Sequence, residues 1–90
     1  MSQRTAVYNY GNDVVLPTAA NVLVPDRPHG RKSIWVKNQG ANVMLIAAPS
    51  GSVYRLDPGA TWFPPYVAIQ DGAYTITGTA AQTFSFEEVY

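Results

Sequence analysis

The only histidine, His29, lies three residues after Asp26 in Asp26-Arg27-Pro28-His29-Gly30, where an imidazole and a carboxylate are close along the chain. A catalytic imidazole needs a nucleophile to activate and a carboxylate to orient it, or companion ligands around a metal. Prolines at 25 and 28 frame the segment as a loop, since the residue before a proline is held out of the α region. It therefore reads as turn chemistry. Asp13, Asp26, Asp57 and Asp71 each precede or sit within a Gly- or Pro-containing turn, where a carboxylate bonds local backbone N–H groups. Glu87-Glu88 closes the last strand and reads as a solvated edge that discourages further pairing. A glycosidase-type carboxylate pair needs a deep pocket, for which 90 residues leave little room. No dinucleotide fingerprint, phosphate loop or HExxH pair occurs. The absence of cysteine removes disulfides, thiolate catalysis and Cys-based zinc sites. The expectation is a protein that is not an enzyme and uses no cofactor or metal.

Residues suited to contact are easier to find. Arg27, Arg31 and Lys32 form a basic cluster for acidic groups of a neighbour or for phosphate, but no aromatic residues interleave with them as nucleic-acid stacking requires. Six Lys plus Arg against six Asp plus Glu give a formal charge of zero, so long-range attraction to nucleic acid or an anionic membrane is missing. Trp62-Phe63-Pro64-Pro65-Tyr66 puts three aromatic residues and two prolines into five positions. Trp62 and Phe63 then straddle a sheet, one closing the core; alternatively the segment anchors a protein, or with Trp35 stacks on sugar. Tyr8, Tyr10 and Tyr90 lie near the two ends and suit arms that lie on neighbouring chains. The protein-contact candidates are Tyr8, Tyr10, Arg27, Arg31, Trp35, Trp62, Phe63, Tyr66 and Tyr90.

The elements that must position these residues are strands. Seven glycines and seven prolines interrupt the chain too often for a helical apolar period. Residues 5–10 read as a first strand ending at Gly11-Asn12-Asp13, followed by short apolar runs at 14–16 and 21–24. In 32–38, Ile34 and Val36 face one way while Ser33, Trp35 and Lys37 face the other. That strand and the apolar run 43–48, which fits a buried strand, read as a hairpin about Asn38-Gln39-Gly40-Ala41-Asn42. Strands at 52–56 and 60–63 follow, around the tight turn Asp57-Pro58-Gly59. Residues 66–69 and 73–77 read as a hairpin about Asp71-Gly72, with Tyr74 and Ile76 opposite Thr75 and Thr77. In 82–87, Phe84 and Phe86 point inward and Thr83, Ser85 and Glu87 outward. The length allows one domain spanning 1–90, with 1–13 as an extended N-terminal arm. About eight or nine short strands imply an all-β, two-layer antiparallel β-sandwich, jelly-roll-like, ahead of a small SH3-like or OB-like barrel.

In order, residues 31–40 (RKSIWVKNQG), 55–62 (RLDPGATW), 66–72 (YVAIQDG) and 74–89 (YTITGTAAQTFSFEEV) form a series that resembles small virion proteins of tailed bacteriophages. Those carry an Arg-led apolar strand, a Leu-x-Pro-Gly turn, an Ala-Ile strand and a last strand with an acidic end. The first 30 residues take no part in the likeness. It implies a β-sandwich that coats or completes a phage particle without catalysis, and it transfers no functional residue. The expected role is a capsid decoration or cement protein; a tail, fibre-base or head-tail connector component and a carbohydrate-binding adhesin module are the alternatives. Its partners would be the major capsid protein and other copies of itself, a trimer being favoured. The site of action would be the virion capsid surface, after synthesis in the host cytoplasm, since no signal-peptide core or apolar stretch of membrane-spanning length is seen. Only 13% of residues are charged while 47% are hydrophobic, which suits a chain whose apolar surface is covered by another.

Overall fold

The computed structural model describes residues 6–28, 30–64 and 69–90. Among them there are eight strands and no helix: β1 (Tyr8–Val15), β2 (Ala20–Val24), β3 (Ser33–Asn38), β4 (Met44–Ala47), β5 (Val53–Leu56), β6 (Thr61–Trp62), β7 (Tyr74–Thr77) and β8 (Thr83–Val89). Two four-stranded antiparallel sheets result, ordered β1-β8-β3-β6 and β2-β7-β4-β5. The pairs β1·β8, β2·β7, β3·β6 and β4·β5 nest inside one another like the rungs of one long hairpin. Rolling that hairpin up adds β3·β8 and β4·β7 and splits it into two sheets. The two separate sheets are the sandwich expected above in place of a closed barrel, and their strand order is that of a jelly roll.

Alternation decides which residues make the core. Ile34 and Val36 on β3, Met44 and Ile46 on β4, Tyr74 and Ile76 on β7 and Phe84 on β8 are buried and meet between the sheets. Their neighbours Ser33, Lys37, Leu45, Thr75 and Thr77 are exposed. The apolar run about β4 is thus covered on one face only, and Leu45 keeps 40% of its surface.

Three features differ from the sequence expectation. Gly11-Asn12-Asp13 does not end a strand. It forms a bulge within β1 between Gly11 and Val14, with Asp13 at φ 53° and its N–H donated to Ser85 Oγ at 3.1 Å. Residues 8–13 therefore belong to the first sheet and are not a free arm. The third difference concerns β3 and β4, which do not form a hairpin, because the chain crosses from one sheet to the other between them. Buried Asn38 makes that crossing: its Nδ2 donates to the carbonyls of Asn42 (2.8 Å) and Leu56 (3.0 Å), and its Oδ1 accepts from Gly40 N (2.9 Å) and Gln82 Nε2 (3.0 Å). A Cβ on Gly40 would fall 2.0 Å from Gln82 Cγ, so the backbone approaches this closely only as glycine. Among the described residues the one consecutive pair in a single sheet is β4·β5, turned by Gly51 at φ 95°. Lastly, the expected strand at 66–69 lies mostly outside the described residues, and Ile69 itself is not in a strand.

The one-sided burial of β4 gives a direct contrast. Ile46→Ala should lower the unfolding free energy by about 2–5 kcal/mol through lost burial and a cavity. Leu45→Ala, one residue away, should change it by about 1 kcal/mol or less. Urea denaturation of both variants tests this, and equal losses would contradict a single covered face.

Candidate functional site

Glu88 is on the inner face of β8, in step with Phe84 and Phe86, and is completely buried. An unpaired carboxylate there would be prohibitively costly. Two arginines meet it from the β2–β3 connection. Arg31 Nε donates to Glu88 Oε2 at 2.8 Å, and Arg27 donates through Nε (3.0 Å) and Nη2 to Oε1. Asn9 Nδ2, from β1, donates to the same oxygen at 2.9 Å. Burial by itself raises the Glu88 pKa. The hydrogen bonds from Arg27, Asn9 and Arg31 outweigh it and hold the carboxyl below the usual carboxylate range.

Arg31 has a wider reach. Its Nη1 donates to the carbonyls of Gln70 and Gly72 (2.9 Å), and its Nη2 to that of Pro25 (2.7 Å). Its own N–H is taken by Asp71 Oδ1 at 2.8 Å, and its guanidinium lies 5.1 Å from the Tyr74 ring centre. Arg27 covers the Tyr90 ring at 3.7 Å. One buried cation thus ties two inter-sheet connections to the last strand. Among the described residues, no buried side-chain polar atom of the network is left without a hydrogen-bond partner.

The outer surfaces are of another kind. On the second sheet the register aligns Ala20, Thr77, Leu45 and Arg55 in one row and Val22, Thr75, Ala47 and Val53 in the next. Of these eight outward positions only Arg55 is charged, and Val22 and Val53 keep 65% and 59% of their surface. On the first sheet a shallow groove of about 650 Å³ is lined by Trp35 and Phe63, with Pro64 and Ile69 beside them and Lys32 and Lys37 among its lining residues. Its walls are chiefly apolar and aromatic.

The contact candidates are dispersed accordingly. Trp35 lines the groove, and Phe63 does so with 71% of its surface exposed. Trp62 turns inward and is half-buried against the core, its ring 5.2 Å from Tyr54 and 5.8 Å from Tyr74. Tyr8 and Tyr10 are exposed on β1. Arg31 is unavailable for contact because its side chain is fully buried, and Arg27 is turned onto Glu88. Tyr90 is half-buried under Arg27. Tyr66 and His29 lie outside the described residues. Glu88, expected as a solvated edge, is the most enclosed acid; the inward parity of Phe84 and Phe86 was the signal that places it inside. Asn9, Asn38 and Gln82 carried no comparable signal, because their partners are distant in the chain.

Among the described residues no helix is long and apolar enough to cross a membrane, and no cluster of three metal-ligating side chains occurs. No protein-family model matches the chain, and no curated protein or solved structure matches it.

The network makes two measurable demands. Glu88→Gln leaves two arginines without their counter-charge and should cost about 3–5 kcal/mol, whereas Glu88→Leu combined with Arg31→Met should recover a large part of that loss. The Glu88 pKa is lowered on folding, so its stabilisation is fully present above the unfolded value of about 4.3 and disappears as pH falls through the lower folded value. Acid unfolding curves should therefore steepen below about pH 4 in the native chain. The double variant should lack that component, and an unchanged acid limb would contradict the assignment.

Proposed function

We propose that the chain is a structural component of a tailed-phage virion, a capsid decoration or cement protein that works by contact with the major capsid protein and with its own copies. The observation that carries this reading is the outer face of the second sheet, where a single charge stands among eight outward positions. Such a face is inexpensive to dehydrate and offers shape more than charge, as the centre of a protein interface does. The chain's few charges support the same reading, since three of them are committed to one buried network. The likeness of residues 31–89 to small phage virion proteins supplies the context.

The groove favours a second reading. Trp35 and Phe63, accompanied by Ser33 and Thr61, form an aromatic platform with hydroxyls nearby, the arrangement a host-surface glycan would stack on. In that case the chain is an adhesin module.

Mass spectrometry of purified particles separates these. A decoration protein should be present in hundreds of copies, while a tail or connector ring would hold about a dozen. Absence from particles would end the virion reading in either form. Glycan-array binding that disappears in Trp35→Ala, with the melting temperature unchanged, would favour the adhesin; flat curves for the native chain would exclude it.

A further inference from the structure

A sheet whose outermost strand has an open edge presents unpaired N–H and C=O groups, and natural proteins shorten, charge, bulge or cover such edges. Among the described residues there are four such edges. β6 has two residues, β5 has four and runs into the Arg55–Asp57 ion pair, and β2 is bulged between Val22 and Val24 and stopped by Pro25. β1 is the longest, at eight residues, and residues 6–12 contain no charge and no proline.

The hydrogen bonds settle which groups of β1 face outward. Val7 and Tyr90 exchange both backbone bonds, at 2.6 and 3.0 Å. In an antiparallel pair this exchange recurs at every second residue, so Asn9 with Glu88 and Gly11 with Phe86 continue it. The N–H and C=O of Tyr8 and Tyr10 then point away from β8, on the side where the sheet order places no strand among those described. Both side chains are also bare, with 65% and 66% of their surface exposed. The bulge between Gly11 and Val14 ends the straight part of the edge.

We propose that this edge pairs antiparallel with the same edge of a second copy, across a two-fold axis at Asn9, placing Tyr8 opposite Tyr10 of the second copy and joining the two first sheets into one of eight strands. Three features select this occupant and register. The bonding groups of an open strand are satisfied by another strand, and an identical uncharged segment brings no like charges together. The chain's net charge of zero adds no repulsion between copies. Centring on Asn9 uses the charge-free stretch on both copies and forms two cross-strand tyrosine pairs, whereas a shift of the axis by one residue either way forms one. The inference goes beyond the virion reading and concerns the isolated chain, so it stands or falls separately from the particle experiment.

Analytical ultracentrifugation of the purified chain tests it. The native chain should show a reversible monomer–dimer equilibrium. Tyr10→Pro removes an outward N–H without touching the β1·β8 ladder and should weaken the dimer by at least about tenfold, with near-ultraviolet circular dichroism unchanged. A native chain that stays monomeric, or a folded Tyr10→Pro variant that dimerises as well as the native chain, would overturn the proposal. Should that variant fail to fold, cross-linking decides. Tyr8→Cys and Tyr10→Cys chains, mixed and oxidised, should give a disulfide dimer that neither gives alone. Cross-linking of either variant by itself, or none in the mixture, would refute the register.

Discussion

The contact between Arg31 and Glu88 is the constraint on which the rest of the structure depends. A 90-residue sandwich has a thin core, and at one end of this one the space between the sheets is filled by an ion pair. Two buried charges gain little net stability over a hydrophobic pair of the same shape. What they supply is a demand on geometry. Arg31 satisfies its donors only when Pro25, Gln70, Gly72 and Glu88 stand around it together, which means that two inter-sheet connections have closed and β8 is in register. A slip of β8 by one residue would turn Glu88 to solvent, and in the direction that brings Val89 to its place it would leave the arginine unpaired. The pair thus acts as a lock on register in a fold whose strands are too short to fix it by hydrophobic alternation alone.

The other end of the sandwich is held by a neutral device. Asn38 and Gln82 bridge the β3–β4 crossing to the β7–β8 connection through side-chain amides. Charge at one end and amides at the other leave the middle to Val36, Ile46, Ile76 and Leu56, all nearly free of solvent contact. Three charged side chains are used internally, and the outer face of the second sheet is left with threonine, alanine, valine, leucine and a single arginine.

The jelly-roll wiring also determines which strands stand at the sheet edges. Nested pairing brings β1 beside β8, so the first strand of the chain becomes the outermost strand of a sheet. β8, between β1 and β3, is the strand through which the two ends and the buried pair communicate. Exposed tyrosines on β1 and the enclosed carboxylate on β8 therefore lie on opposite faces of the same two paired strands.

The sequence by itself determined the class of fold and the facing of most side chains. Two-residue alternation is a local property, so Ile34 and Val36, Tyr74 and Ile76, and Phe84 and Phe86 announced their inward faces before any partner was known. The tight turn at 57–59 was equally legible. Partnership was not. The segment 38–42 has the composition of a hairpin turn whether the strand that follows folds back alongside or crosses to the opposite sheet, and only the long-range nesting of β3 with β6 and β8 selects the crossing. Arg27 and Arg31 looked like surface charges, since the glutamate that draws them inward lies 61 and 57 residues away. Alternation is written within a strand, whereas pairing and charge neutralisation depend on which distant segments meet, and that is decided by the packing of the whole chain.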